Sequence, residues 1–299
     1  MSDHSNFIAT IFANPTPQEH TNRVLTADLA ATLLTVATTI AYETAQKIAA
    51  KRIQLGDLRQ YSQTKTSSVD PVTIVDTLAE EYIVEQLAAK RPEDGVIGEE
   101  GSDTTSLSGV TWIVDPIDGT VNFIYGQPDS AVSIAAVING EPVVGVVCQC
   151  NSLDMWAAAQ GYGAWLQHAD GQIEQLFVTQ EQSLQQALLA TGFSYNAQRR
   201  RRQAELLVEV LPQVRDIRRR GSAALDLCAV ASGQVDCFYE YGLNPWDYAA
   251  GIVIAAEAGA QIHMPPMSTL GASGALTAAW ARSLDTEYRA LLERLPTQI

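Results

Sequence analysis

The stretch Trp112-Ile113-Val114-Asp115-Pro116-Ile117-Asp118-Gly119-Thr120 is the most informative part of the chain. Three apolar residues predict a buried strand that ends at Asp115, and the proline predicts a turn that brings Asp118 back beside it. Two carboxylates held close together repel each other, at a cost that rises steeply in a low-dielectric setting. Hard divalent cations such as Mg²⁺ take oxygen ligands of this type. The sequence therefore predicts a cation between the two acids.

Gly119 and Thr120 follow the second acid, at a point where a helix can begin. The unpaired backbone amides of a helix N-terminus bind anions such as phosphate. The stretch therefore predicts two adjacent binding functions, one for a divalent cation and one for a phosphate group. Taken alone, the two aspartates also fit a turn held by a side-chain to backbone hydrogen bond, which needs no ligand.

The composition is that of an ordinary globular protein. The chain has 299 residues, 46% of them hydrophobic, so it can bury a large core, and we expect one compact unit of two subdomains. Its formal net charge of −15 argues weakly against general nucleic-acid binding and suits an acidic cluster that holds cations. Nucleic acid is therefore not an expected partner.

Nothing in the sequence predicts export or membrane contact. We see no signal peptide, and the apolar segment 25–50 contains Asp28 and Glu43, which favours a long soluble helix over a membrane span. The four cysteines lie in apolar context without the spacing of a zinc site, which predicts buried thiols in a reducing compartment. We expect a cytoplasmic protein without membrane partners.

The pattern along the chain predicts an arm and two subdomains. Residues 1–21 show no hydrophobic period and predict a loosely packed N-terminal arm. Residues 22–178 combine helices with strands joined by hairpin signals such as Asn139-Gly140, which predicts an α+β subdomain that carries the acidic motifs. In residues 179–299 apolar strands alternate with helices, which predicts an α/β subdomain that completes the site.

Two further acids stand in notable positions. Glu99 and Glu100 follow the short apolar strand Val96-Ile97 and lie between glycines, which allow close backbone approach. Asp247 stands at the start of an alanine-rich helix. Alone, Glu99 fits a solvated turn acid, and Asp247 fits an acid that stabilises a helix N-terminus. Position alone leaves these roles open beside metal binding.

Three ordered segments of the chain resemble the inositol monophosphatase family of Mg²⁺-dependent, lithium-sensitive phosphatases. They are Gly98-Glu99-Glu100, the stretch 112–120 with Asn122-Phe123, and Trp246-Asp247-Tyr248-Ala249-Ala250-Gly251 with Glu257-Ala258-Gly259. The resemblance runs from about residue 22 to the C-terminus. It implies an α/β (α+β) fold, a layered α-β-α-β-α sandwich of the inositol monophosphatase and fructose-1,6-bisphosphatase type, and a homodimer.

The resemblance also implies a set of metal ligands. Glu99, Asp115 and the Ile117 carbonyl would hold one Mg²⁺, and Asp115, Asp118 and Asp247 would hold a second. We expect about two or three Mg²⁺ ions per active site, which would clamp phosphate oxygens and lower the pKa of a bound water.

Further roles come from the same resemblance. The Thr120 hydroxyl and Glu99 would position the attacking water, and Asp76 would orient Thr120. The amides of Gly119 and Thr120 would bind the phosphate, and Lys65 would lie in the outer shell of the first metal. No covalent phosphoenzyme is expected.

The substrate prediction is a small phosphorylated polyol. Asp118, Glu240 and the segment Gly221-Ser222-Ala223 match positions that line the sugar-alcohol ring in the family. Inositol 1-phosphate is the leading substrate, and fructose 1,6-bisphosphate and histidinol phosphate are the alternatives. Relatives that cleave nucleotide 3′-phosphates usually carry lysine where this chain has Val121, which argues against that activity.

An arginine cluster contrasts with the acidic composition. Eight of the 19 basic residues fall within the 22 positions from Arg199 to Arg220, at 199–202, 215 and 218–220. They fit a solvated surface that pairs with acids, a rim that attracts phosphate or contacts a subunit, or a surface for nucleic acid or a regulatory partner. The alternative function is therefore an RNA- or transcription-associated regulatory protein.

Overall fold

The structure, a computed structural model, describes residues 4–14, 25–56, 62–64 and 71–299. Within these ranges the chain forms eight α-helices and fifteen β-strands. The helices are α1 (Ser5–Ala13), α2 (Ala27–Leu55), α3 (Ile74–Lys90), α4 (Thr120–Tyr125), α5 (Ala197–Val210), α6 (Ala223–Ala231), α7 (Pro245–Glu257) and α8 (Asp285–Leu292). The strands are β1 (Ser62–Thr64), β2 (Pro71–Thr73), β3 (Gly95–Gly98), β4 (Asp103–Thr104), β5 (Val110–Asp118), β6 (Ala131–Ile138), β7 (Glu141–Gln149), β8 (Met155–Ala159), β9 (Ala164–Gln167), β10 (Ile173–Leu176), β11 (Leu188–Thr191), β12 (Asp216–Arg218), β13 (Cys237–Tyr241), β14 (Ala260–His263) and β15 (Leu276–Ala281).

The larger sheet is built mainly from hairpins. Its order is β10-β9-β8-β7-β6-β5-β3-β4, and every neighbouring pair is antiparallel except β3 and β5. The Asn139-Gly140 connection between β6 and β7 has positive φ at both residues, 55° and 80°, as a two-residue hairpin turn with matching twist requires. The predicted hairpin is confirmed.

The smaller sheet is mixed. Its order is β12-β11-β13-β15-β14, in which β11 runs parallel to both of its neighbours and β15 runs antiparallel to both of its own. Helices connect the parallel strands, because a parallel connection must cross back over the sheet. The short strands β1 and β2 form a separate antiparallel pair.

Helices and sheets stack in five layers. Helices α1, α2 and α3 pack on one face of the larger sheet around Trp112. Helices α6 and α7 fill the space between the two sheets, where they meet Ala135 of one and Phe238 of the other. Helices α5 and α8 cover the outer face of the smaller sheet around Tyr239 and Trp280. This arrangement confirms the predicted α-β-α-β-α sandwich.

The predicted loosely packed arm is wrong for its first part. Residues Ser5–Ala13 form the helix α1. Phe7 and Ile11 are fully buried in the core, and the His4 ring lies edge-on to Tyr42 with 4.8 Å between centroids. Burial of these side chains against α2 stabilises a helix that would be marginal alone. Residues 15–21 lie outside the described part of the chain.

The second helix and the cysteines agree with the sequence analysis. Thr26 caps α2, and its hydroxyl accepts the Leu29 amide at 3.3 Å. None of the described helices is long and apolar enough to cross a membrane. All four cysteines are buried free thiols. The proposed boundary at 178/179 falls between Leu176, the last residue of β10, and Leu188, the first of β11.

Candidate active site

The end of β5 differs from the predicted turn. The strand continues through Asp118, but Asp115 pairs with Ser133 and Asp118 pairs with Ala131, so β5 carries one extra residue. Pro116 lies in this bulge. The bulge already interrupts the backbone hydrogen bonds between the two strands, so the missing N–H of proline is tolerated there. The bulge, and not a proline turn after a finished strand, brings the two aspartates to the same edge.

Local hydrogen bonds hold the bulge. The Ile117 amide donates to Asp115 Oδ1 at 2.9 Å, and the Thr120 hydroxyl donates to the Ile117 carbonyl at 3.0 Å. Gly119 lies between them with φ of 85°, a left-handed conformation that favours glycine. A Cβ there would also approach the Asp129 carbonyl to 2.6 Å. Both Gly119 and Thr120 line the same cleft as the acids.

Four acids from distant parts of the chain meet in this cleft. Carboxylate oxygens of Asp115, Asp118 and Asp247 all lie within 4.8 Å of one another. Glu99 lines the same cleft, and a hydrogen bond joins its carboxyl to that of Asp115. The structure therefore brings together the acids that the three motifs singled out.

Asp247 caps a helix in a geometry that is compatible with metal binding as well. Its Oδ2 accepts the Asn244 amide at 2.7 Å in the capping box that starts α7. This bond uses one carboxylate oxygen for the helix cap. Because a carboxylate has a second oxygen, Asp247 can cap the helix and still offer a ligand to a cation.

Asp118 links the two halves of the molecule. Its Oδ2 accepts the Ser222 hydroxyl at 2.5 Å and the Ala224 amide at 2.8 Å. Ser222 is also the N-cap of α6, where its oxygen accepts the Leu225 amide at 3.2 Å. The segment Gly221-Ser222-Ala223 is thereby fixed against the end of β5 that carries Asp118.

The ionised forms of the buried carboxyls in the cleft are unfavourable. Burial, followed by the charges of Glu99, Asp118 and Asp247, raises the pKa of Asp115 well above its ordinary value. Burial and the charge of Glu99 likewise raise the pKa of Asp247. The pKa of Asp118 rises to about 6, mainly through burial, although its hydrogen bonds from Ser222 and Ala224 oppose the rise. The protein alone does not neutralise these acids.

Glu240 faces the same cleft from β13. Burial, followed by the charge of Asp118, raises its pKa to about 8, although the Arg219 guanidinium opposes the rise. The carboxyl lies so close to Gly192 that a Cβ at that glycine would collide with it. Glycine at 192 is therefore part of what makes room for the Glu240 side chain.

The donor set fits a hard divalent cation. It consists of carboxylate and carbonyl oxygens, the ligand type of Mg²⁺. Burial, together with the charges of neighbouring acids, raises the pKa values of Asp115, Asp118 and Asp247, and a bound cation would oppose both effects. Asp115, Asp118 and Asp247 would hold such an ion, with Glu99 and the Ile117 carbonyl as further ligands.

Two predicted residues are not part of the cleft lining that the structure describes. Asp76 lies in the first turn of α3 and is only 1% exposed, but it is not among the described residues that line the cleft. The Thr120 hydroxyl donates to Ile117, so the predicted orientation of Thr120 by Asp76 stays a prediction. Lys65 lies outside the described residues.

The cleft also contains residues that the sequence analysis did not assign to it. They are Gly192, Phe193, Tyr195, Arg219 and Leu243. Arg219 lies two positions before Gly221, so its adjacency to the predicted substrate segment was a usable signal. Phe193 and Tyr195 follow β11 without any motif, and nothing in the sequence separates them from core aromatics.

The layered fold and the acid-lined cleft define a class, that of α/β proteins with an oxygen-rich site for hard cations. Within this class the chain belongs to the inositol monophosphatase family, whose model matches residues 30–296. The resemblance given by the three motifs is thus confirmed. Members of this family are metal-dependent phosphatases.

Individual relatives agree with this assignment. The chain is 44% identical over 275 residues to the inositol-1-monophosphatase SuhB of Mycobacterium tuberculosis, covering 88% of this chain and 94% of that protein. The solved structure of Mycobacterium tuberculosis SuhB superposes with a TM-score of 0.77 at 42% identity, covering 90% of this chain and 98% of that one. The Nus factor SuhB of Xylella fastidiosa is 39% identical over 201 residues, covering 66% of this chain and 70% of that protein.

Proposed function

We propose that this protein is a Mg²⁺-dependent phosphomonoesterase that hydrolyses inositol 1-phosphate to inositol and phosphate. The observation that carries the proposal is the meeting of Asp115, Asp118 and Asp247 within 4.8 Å, with Glu99 and the Gly119-Thr120 amides in the same cleft. A cation site beside an anion site is the arrangement that metal-assisted phosphate-ester hydrolysis uses.

The carboxylates supply the metal site. About two or three Mg²⁺ ions, when bound, would act as Lewis acids on the phosphate, lower the pKa of a bound water and stabilise the departing alkoxide. Asp115 is the most deeply buried of the cleft carboxylates and has the other acids around it, so it is suited to bridge two ions. Lithium sensitivity is part of the same proposal.

The other residues of the cleft position the reactants. The Thr120 hydroxyl donates its hydrogen bond to the Ile117 carbonyl, so its oxygen is available to accept a hydrogen bond from the attacking water. Glu99 would accept the proton that this water loses as its oxygen bonds to phosphorus. The Gly119 and Thr120 amides would hold the phosphate oxygens while the phosphorus–oxygen bond to the polyol breaks and the departing alkoxide takes up a proton from solvent. For Asp76 to orient Thr120, the Thr120 hydroxyl must rotate away from Ile117.

The polyol would lie against the α6 end of the cleft. Gly221 and Ala223 line the cleft there with Asp118, and the buried Ser222 between them donates to Asp118. Glu240 lines the same cleft, and its pKa of about 8 keeps a proton on the carboxyl at neutral pH in the metal-free chain. A protonated carboxyl both donates and accepts, which suits the hydroxyl groups of a ring. A homodimer and a cytoplasmic location complete the proposal.

Phosphate release across a substrate panel tests this function. We expect Mg²⁺-dependent release with the highest kcat/KM on inositol 1-phosphate, and lower values on fructose 1,6-bisphosphate, histidinol phosphate and adenosine 3′,5′-bisphosphate. Lithium should inhibit the release. A preference for fructose 1,6-bisphosphate or histidinol phosphate would replace the substrate and keep the mechanism, whereas activity that survives complete chelation would reject the mechanism.

A second candidate function is association with RNA or the transcription machinery. The similar protein of Xylella fastidiosa is named a Nus factor, and Arg200, Arg201 and Arg202 are exposed on the first turns of α5. Arg199 differs from them, because its guanidinium donates to the carbonyls of Gly271 and Ala272 at 2.7 and 2.8 Å. Arg199 is therefore structural, and the exposed arginines are the candidates for binding.

The exposed arginines allow the two functions to be separated. If the protein binds RNA, the double variant Arg201→Gln with Arg202→Gln should lower its affinity for a single-stranded RNA. The slope of log Kd against the logarithm of the salt concentration should fall by about one for each lost phosphate contact. Phosphate release should not change, because both side chains are exposed and neither is among the described residues that line the cleft. RNA affinity and salt dependence equal to those of the unaltered protein would reject this surface.

A further inference from the structure

Glu80 is a buried carboxylate to which the proposed mechanism gives no role. It lies on α3, one helical turn after Asp76, and only 3% of it is exposed. Its neighbour Glu81 is exposed on the same helix. A buried carboxylate costs free energy unless strong hydrogen bonds compensate it, so its contacts indicate why it is there.

Both oxygens of Glu80 bind the backbone of the loop that carries Glu99. The loop joins β3 to β4, and the Gly98 amide closes it by donating to the Ser102 carbonyl at 2.8 Å. The Glu100 amide donates to Glu80 Oε2 at 2.7 Å, and the Ser102 amide donates to Glu80 Oε1 at 3.0 Å. Hydrogen bonds to an ionised acceptor are among the strongest in proteins.

Gly98 makes this contact possible. A Cβ on residue 98 would lie 2.5 Å from Glu80 Cδ and 2.5 Å from its Oε2. Any larger residue would therefore push the carboxylate away from the loop amides. The glycine before Glu99 is explained by the approach of Glu80, and not by a backbone angle that only glycine adopts, since its φ is not positive.

Glu99 is thereby fixed from both sides. Its own amide donates to the Val114 carbonyl at 3.2 Å, next to Asp115. The following amides of Glu100 and Ser102 are held by Glu80. The backbone that aims the Glu99 carboxyl into the cleft is thus tied to β5 on one side and to α3 on the other.

We propose that Glu80 is a positioning residue that sets the cation affinity of the cleft by holding the Glu99 loop. This inference rests on the proposed metal centre. Outer-sphere groups that orient metal ligands typically change metal affinity or activity by about 10- to 100-fold when they are removed. Glu80 acts on Glu99 through two backbone amides, so the same range applies here.

Manganese binding to the full-length protein tests the proposal without any turnover. We expect Glu80→Gln to weaken Mn²⁺ binding, measured by titration calorimetry, by about 10- to 100-fold. The control Glu81→Gln removes the same charge from the adjacent exposed position and should change the dissociation constant less than about twofold. Gly98→Ala displaces the Glu80 carboxylate without changing any charge, and it should weaken binding like Glu80→Gln.

A double-variant cycle separates positioning from simple structural support. If Glu80 acts through Glu99, Glu80→Gln should have little further effect on Mn²⁺ binding in a Glu99→Gln background, because residues that act as one unit are not additive. Variants with a lower melting temperature but unchanged Mn²⁺ affinity would overturn the inference. Failure of the unaltered protein to bind Mn²⁺ would reject the metal centre itself, and binding without phosphate release would reject only the proposed reaction.

Discussion

Asp118→Asn is expected to lower kcat by about 10³-fold or more, since a metal ligand contributes several kcal/mol of transition-state stabilisation. Asn keeps one side-chain oxygen, which can still accept the Ser222 hydroxyl and the Ala224 amide, as Asp118 Oδ2 does. Its amide group, however, carries no charge and presents N–H donors to the place of a cation. The variant should therefore keep the link between β5 and α6 and lose the metal site. Single-turnover phosphate release measures the effect.

The stability of the same variant gives an independent test. The pKa of Asp118 is about 6 in the folded metal-free chain, above the ordinary value, so ionised Asp118 destabilises the fold at neutral pH. Asn removes this penalty, and the metal-free variant should melt at or above the temperature of the unaltered protein at pH 7. Below the ordinary carboxyl pKa of about 4, neither protein carries a charge at this position, and the difference in melting temperature should vanish.

Asp103→Asn is the matched control for this change. Asp103 lies on the short strand β4 next to the Glu99 loop, and it is exposed. Removal of its charge should leave kcat within about twofold, because exposed charges act weakly at a distance. An Asp118→Asn variant with full activity, or one that unfolds in the absence of metal while Asp103→Asn does not, would contradict the assigned role.

The sequence was sufficient to identify most of the acids in the cleft. Asp115 and Asp118 stand at the end of an apolar strand, a place where functional side chains are often presented. The resemblance to a known family supplied Glu99 and Asp247, because alone the first fits an ordinary turn acid and the second fits an acid at a helix N-terminus. These signals are local, and the structure brings the four acids into one cleft.

Features that depend on long-range packing were not predictable in the same way. The bulge at Asp115 and Asp118 is a shift of register against β6, and an apolar run contains no information on its pairing partner. Glu80 and Glu81 are adjacent acids in one helix, and only the close approach of Gly98 distinguishes them. Helix α1 is a different case, because Phe7, Ile8, Ile11 and Phe12 recur at helical spacing. This local signal was present in the sequence, and the prediction of a loosely packed arm without a hydrophobic period overlooked it.

Removal of divalent cations is the second change with a large expected effect. Chelation should abolish phosphate release, because the cluster of Asp115, Asp118 and Asp247 then holds no positive charge to stabilise the reaction. Readdition of Mg²⁺ should restore activity and raise the melting temperature by several degrees, since a ligand at about 100 times its Kd stabilises the folded state by about 2.7 kcal/mol. Phosphate release and the melting temperature are measured at increasing Mg²⁺ concentrations in a calcium-free buffer.

The size of this stabilisation should depend on pH in a defined direction. The pKa values of Asp115, Asp118 and Asp247 are all raised in the folded chain, that of Asp118 to about 6. Without metal, the fold therefore binds more protons than the unfolded chain, and its stability falls as pH rises from about 4 through these folded-state values. Mg²⁺ displaces the protons and removes the penalty, so the melting-temperature increase on Mg²⁺ addition should grow from pH 5 to pH 8.

Calorimetry in two buffers of different ionisation enthalpy should detect proton release at pH 6. A Mg²⁺ effect that is equal at pH 5 and pH 8, or binding without proton release, would show that these carboxylates do not hold the ion.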